Sequence, residues 1–384
     1  MALSLNPAKC ISLPRQIRMP VKNCLAGLLL AMLFLTACDT SQQPLPPPVS
    51  KTVTDALGRS ISVPGQANNV ITMRAGALRL MLYMGLADKV GFIEKNDLAR
   101  VVPYMMAHPE LKQRPVIGVS NNFDPEAVAV SGTSLIVGTY MSEEEADDWT
   151  IKTGKPVFCL AYGDLYHLKT DFYKSLTALG QLFDRAQRAD SLIAYIETTI
   201  SEVGKRAKRS QRRGHSAYIG GIAFNGVQGI ASTRAQYPPF VYLGIDSPAD
   251  ALPHSIESIG MGQKNMLIDM EQLISWDTDY LFLDASGQPA WSEEINKPVL
   301  ARLRAKKLQQ TYVLLPFNWH TINYEHLLCN MWFVGKTVYP DTFSDVNVEQ
   351  KCREIFTMFY GRDIYDEVKA TYQPFEKPNP DARR

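Results

Sequence analysis

Two glutamates occupy matched positions in an ungapped internal repeat. The run Asp124-Pro125-Glu126-Ala127-Val128, followed by Ser134-Leu135-Ile136-Val137, aligns with Asp269-Met270-Glu271-Gln272-Leu273, followed by Asp279-Tyr280-Leu281-Phe282. In each copy the carboxylate falls in the first turn of a helix that leads into an apolar strand, where the helix dipole stabilises an acid. Little else in the chain is equipped to catalyse. It contains no GxGxxG, GxSxG, HExxH or GxxxxGK[ST] motif, and Gly220-Gly221 after a strand is only a weak phosphate cradle. The six histidines form no cluster with acids at ligand spacing, which argues against capture of naked zinc or manganese. His320 is expected to be a hydrogen-bonded structural residue. Cys159, Cys329 and Cys352 show no CxxC spacing, so either a Cys329–Cys352 pair or buried free thiols remain open.

The elements that would position these groups follow an alternating pattern. Residues 52–64 alternate in polarity around Gly58 and predict a hairpin. Short apolar runs at 70–73, 90–93, 135–137 and 157–160 alternate with stretches of helical period, predicting βα units around a parallel sheet. Between Leu168 and Ala207 apolar residues recur at 172, 176, 179, 183, 186, 193, 196, 200, 203 and 207, in steps that mark one helix face. With no proline inside, the stretch predicts one rod on the order of 55 Å. Strands then resume near 217–220, 280–283 and 312–315. Two lobes on one plan are the simplest account of the repeat.

At the N-terminus, Lys9, Arg15, Arg18 and Lys22 precede an uncharged apolar run from Leu25 to Ala37. That is the layout of a secretion signal, and the run is shorter than the ~20 apolar residues a membrane span needs. The Pro-rich stretch behind it reads as a tether. Removing the four basic residues of the leader takes the formal charge from +1 to −3, a balance without a nucleic-acid footprint. Met19 is a second credible start.

The run Leu35-Thr36-Ala37-Cys38 resembles the lipobox of bacterial lipoproteins, which implies lipidation of Cys38 and, with Asp39 behind it, retention at the inner membrane. From Val53-Thr54-Asp55-Ala56-Leu57-Gly58-Arg59 to Trp332-Phe333-Val334-Gly335-Lys336-Thr337-Val338-Tyr339-Pro340-Asp341-Thr342-Phe343, the mature chain resembles the periplasmic binding proteins that serve siderophore, haem and cobalamin importers. The resemblance implies an α/β fold of two Rossmann-like lobes with central parallel sheets, joined by a single long rigid helix, with the ligand in a cleft between the lobes. On that plan residues 1–37 are the signal peptide, 38–50 the lipidated tether, 51–166 the N-terminal lobe, 167–210 the connecting helix and 211–384 the C-terminal lobe.

It further implies that Glu126 and Glu271 dock onto arginines of an inner-membrane ABC permease dimer. The ligand, an iron-siderophore, haem or cobalamin-like chelate, would be met by loops at the C-terminal ends of the strands, as in open α/β sheets generally. Arg74 and Arg234 are the candidates to complement its charge, and Tyr140, Phe224, Tyr237 and Trp319 to wall it. No catalytic residue, resident cofactor, protein-held metal or nucleic-acid partner is expected, and the chain should act as a monomer. The rival expectations are an exported α/β enzyme and a non-transport sensor lipoprotein on the same fold.

Overall fold

The computed structural model describes residues 50–119, 122–252 and 266–379. The signal peptide, Cys38 and all but the last residue of the tether lie outside the described residues. Strands β1 (Ser50–Thr54) and β2 (Ser60–Pro64) pair as the expected antiparallel hairpin. The first lobe then builds a six-stranded sheet from β3 (Val70–Met73), β4 (Val90–Glu94), β5 (Val116–Val119), β6 (Asn122–Phe123), β7 (Ile136–Thr139) and β8 (Val157–Leu160). Its order is β6-β5-β4-β3-β7-β8, parallel except for β6. Strands β3, β7 and β8 are buried along their whole length, as parallel strands covered on both faces must be.

The second lobe repeats the centre of that plan. Strands β9 (Ala217–Gly220), β12 (Tyr280–Asp284) and β13 (Thr311–Leu314) form a parallel sheet in the order β13-β12-β9, while β10 (Ser232–Thr233) and β11 (Met266–Leu267) pair separately. The sequence repeat falls on equivalent elements. Helix α1 (Pro125–Val130) leads into β7 and helix α2 (Met270–Trp276) into β12, and both strands lie between two parallel neighbours. Asp124 accepts the N–H of Glu126 at 2.9 Å and Asp269 that of Gln272 at 2.7 Å, so each helix start is capped by the aspartate of the repeat.

The single rod expected between Leu168 and Ala207 is not what forms. The stretch folds into helix α3 (Lys169–Leu182) and helix α4 (Ala186–Arg209), which pack side by side. The Tyr173 hydroxyl donates to Glu197 at 2.9 Å, and Lys169 pairs with the same carboxylate at 2.7 Å. The break is a Schellman closure: Asp184 takes a left-handed conformation at φ 56°, and the Arg185 N–H reaches back to the Gly180 carbonyl at 2.7 Å. Gly180 lets the helices touch there, since a β-carbon would sit 3.2 Å from Ala186 Cα.

Helix α4 alone therefore connects the lobes, at about 36 Å. Near its start Arg188 donates to the Tyr83 carbonyl of the first lobe at 2.8 Å; near its end Arg206 pairs with Asp345 of the second at 2.7 Å. The C-terminal segment is not confined to the second lobe. After helix α5 (Tyr324–Val338), helix α6 (Val348–Tyr360) brings Phe359 to 4.8 Å from the Tyr83 ring, and the Tyr372 hydroxyl donates to the Val101 carbonyl at 2.8 Å. Cys159, Cys329 and Cys352 are buried free thiols.

Candidate functional site: loops facing each other between the lobes

Parallel strands end in loops on one edge of each sheet, and here the two sets of loop ends meet. In the first lobe Thr139 at the end of β7 donates to the Ala75 carbonyl after β3 at 2.9 Å. Tyr162, after β8, lies so close to Gly76 that a β-carbon would fall 2.2 Å from its ring, at a φ of 94° that glycine alone adopts freely. In the second lobe Asp284, at the end of β12, accepts the Phe317 N–H at 2.6 Å, and Asn318 donates to the Ala223 carbonyl at 2.9 Å. Across the gap, Tyr140 and Thr321 hydroxyls are 2.6 Å apart, Tyr162 donates to the Ile322 carbonyl at 2.8 Å and Tyr324 to the Gly163 carbonyl at 2.8 Å.

Arg79 is the centre of this meeting. It stands in the helix Ala77–Tyr83 of the first lobe, fully buried, and donates to the carbonyls of Trp319 (3.2 Å), Thr321 (3.3 Å) and Ile322 and to the Tyr162 hydroxyl (2.9 Å). Its guanidinium also lies 5.1 Å from the Tyr104 ring. Burial alone would depress the guanidinium pKa, but Tyr162, Tyr83 and Glu325 around it more than offset this and hold it well above the usual value. Glu325, also fully buried, accepts from Tyr83 and from Tyr360 at 2.8 Å.

Backbone strain gathers on the same loops. Of the twelve non-glycine residues with positive φ among those described, six are Arg74, Tyr140, Asn225, Gln236, His320 and Thr321. A β-branched residue such as Thr321 at φ 70° is a genuine outlier, and such strain clusters at ligand clamps and switches.

The sequence candidates distribute unevenly. Arg74 directly follows β3 and is half-buried; it pairs with Glu145 and donates to the Tyr140 carbonyl, while its own N–H donates to Glu94. Tyr140, Phe224 and Trp319 stand half-buried on the facing loops. Burial raises the Tyr140 hydroxyl to about 12. Arg234 is buried, 3.4 Å from Asp164 and 4.8 Å from the Phe317 ring, and burial lowers its pKa.

Tyr237 does not wall a cleft. It immediately precedes the helix Pro238–Leu243 and turns inward, fully buried against Phe240 and Phe317 with its hydroxyl accepting from Asn330 at 3.0 Å. His320 is buried, its Nε2 3.4 Å from Asp97, which also accepts from the Tyr104 hydroxyl at 2.6 Å. Glu126 and Glu271 are both exposed. Sequence reasoning missed Arg79, Asp97 and Glu145, and gave Tyr162 and Asp164, on a loop it placed at the cleft, no role of their own. A lone charge inside an otherwise apolar helix was the available signal for Arg79, since such a residue is rarely buried without dedicated partners. Among the described residues no three His, Cys, Asp or Glu side chains converge as a metal site, and no helix is long and apolar enough to cross a membrane.

Residues 104–316, more than half of the chain, match the family described as periplasmic binding protein, and the chain belongs to that family. It is a solute-binding protein of the periplasm and not an enzyme. No curated protein matches it closely enough to add to this. Among solved structures, a periplasmic solute binding protein from Veillonella parvula superposes with a TM-score of 0.65 at 18% identity, covering 84% of this chain and 97% of the other. The molybdate periplasmic binding protein MolA of Haemophilus influenzae gives 0.65 at 14% identity, covering 82% and 98%. The petrobactin-binding protein YclQ from Bacillus subtilis gives 0.55 at 19%, covering 78% and 100%. At these identities the likeness is one of fold: two α/β lobes facing each other across a cleft.

Proposed function

We propose that the protein captures an iron-siderophore or a related metal chelate between its lobes and delivers it to an ABC permease of the inner membrane. The observation that carries this is the convergence of strained loops from both lobes, flanked by half-buried Tyr140, Phe224 and Trp319 and by Arg74. Such a surface offers flat contact area to a ring-bearing ligand. The petrobactin-binding neighbour supports the choice of cargo class. Glu126 and Glu271, exposed at equivalent helix starts, are the permease contacts in this proposal, and acylated Cys38 would hold the monomer at the membrane, since several acyl chains bind almost permanently.

The test is titration of the lipid-free chain with ferric siderophores, haem and cobalamin, following tryptophan fluorescence and mass spectrometry of co-purified ligand. Binding of one member with a Kd of about 1 μM or tighter is expected; absence of binding across the panel sinks the proposal. Glu126→Arg with Glu271→Arg should abolish uptake in cells while leaving chelate affinity unchanged, because rim charges set docking and not cleft chemistry.

A further inference from the structure

The charge of the chelate can be read from the charges around the cleft. We infer that the cleft is built for a metal chelate of little or no net charge, of the ferric hydroxamate kind, and against a polyanionic catecholate or carboxylate complex. This inference rests on the cargo proposed above and sharpens it.

The arginines that suggest an anionic ligand are already answered by the protein. Arg74 is paired with Glu145, with a second carboxylate, Glu94, on its backbone N–H. Arg234 is paired with Asp164 and buried. Arg79 is fully buried, and its two terminal nitrogens donate to backbone carbonyls and Tyr162. Arg100 is exposed 5.6 Å from the Trp319 ring, and the nearby acid Asp97 is turned inward to His320 and Tyr104.

The described cleft therefore sets Arg74, Arg100 and Arg234 against Glu94, Glu145 and Asp164, a balanced set of which Arg74, Arg100 and Glu145 reach solvent while the other three are buried. A cation with a carboxylate beside it presents a dipole to a ligand, whose attraction for an anion falls off far faster than that of a bare charge. A polyanion approaching Arg74 would also meet Glu145, whose side chain is 36% exposed. What stays available beside the exposed Arg100 is flat and weakly polar: Tyr140, Phe224 and Trp319. Hydroxamate groups neutralise a ferric ion, whereas catecholates leave the complex strongly negative, so this surface suits the first and penalises the second.

The experiment titrates the lipid-free chain with a neutral ferric hydroxamate and an anionic ferric catecholate, each at low and at physiological salt. The hydroxamate should bind at least roughly tenfold tighter, with affinity nearly independent of salt. Glu145→Gln should move the affinity ratio toward the catecholate by roughly tenfold, because it unmasks Arg74. Tighter catecholate binding by the unaltered chain, weakening as salt rises, would overturn the inference and leave the chelate-carrier proposal standing. So would an unchanged ratio in Glu145→Gln with an unaltered circular dichroism spectrum. Failure of both chelates and of the wider panel would remove the carrier proposal, and this inference with it.

Discussion

Arg74 and Arg79 stand five residues apart on the first lobe and do opposite work. Arg74, in the loop after β3, is half-buried at a left-handed backbone position, and its charge is masked by Glu145 close to solvent. Arg79, inside the next helix, is out of contact with water and grips three carbonyls of the second lobe. One residue can be retuned with little risk to the fold, while the other is part of what keeps the lobes together. Arginine near a cleft is therefore no guide to ligand charge until its partners are known.

Breaking the second arginine should have the larger effect. Arg79→Met strands the carbonyls of Trp319, Thr321 and Ile322 and leaves Glu325 buried with only tyrosines for company. Removing one member of a buried charged network costs about 3–5 kcal/mol. For Arg74→Ala the corresponding loss is a partly exposed pair, worth about 1 kcal/mol or less. Urea denaturation of the two variants checks the contrast, and similar midpoints would end it.

A buried histidine sharpens the same contrast through pH. His326, on α5 beside Glu325, is fully buried with Nδ1 2.9 Å from the Pro316 carbonyl, and burial lowers its pKa. The folded state thus holds the neutral ring. Below the unfolded value of about 6.5 the unfolded chain binds the extra proton first, so stability falls as pH drops, by at most about 1.4 kcal/mol per pH unit from this group. In His326→Phe the slope of unfolding free energy against pH between about 6.5 and 5 should flatten by that contribution. An unaltered slope would falsify the assignment.

What the sequence made legible follows from periodicity. The fully apolar runs became β3, β7 and β8, and the repeat around Glu126 and Glu271 landed on equivalent helix–strand pairs, because burial patterns are local. Loops at strand ends were legible by topology, and they carry Arg74, Tyr140, Phe224 and Trp319. Partnerships were not: Glu145 and Asp164 lie 71 and 70 residues from the arginines they mask, and nothing in the intervening sequence marks the pairing. Tyr237 was misplaced because a loop aromatic and a core aromatic look alike until the chain direction is known.

The broken helix shows the same limit, and it can be tested by sign. The step from Phe183 to Ala186 keeps the apolar face in phase across the break, and Asp184 is neither glycine nor proline, so the pattern carries no stop. At φ 56°, however, a β-carbon costs about 1 kcal/mol or more that glycine does not incur. Both Asp184→Gly and Asp184→Ala remove the exposed pair with Lys51, 3.0 Å long, so their difference isolates the backbone. Inside a continuous helix Ala would be the more stable by about 1 kcal/mol. At a Schellman position Gly should win by a similar amount. Thermal unfolding with the glycine variant higher by a few degrees is the expected outcome, and the reverse order would restore the uninterrupted rod.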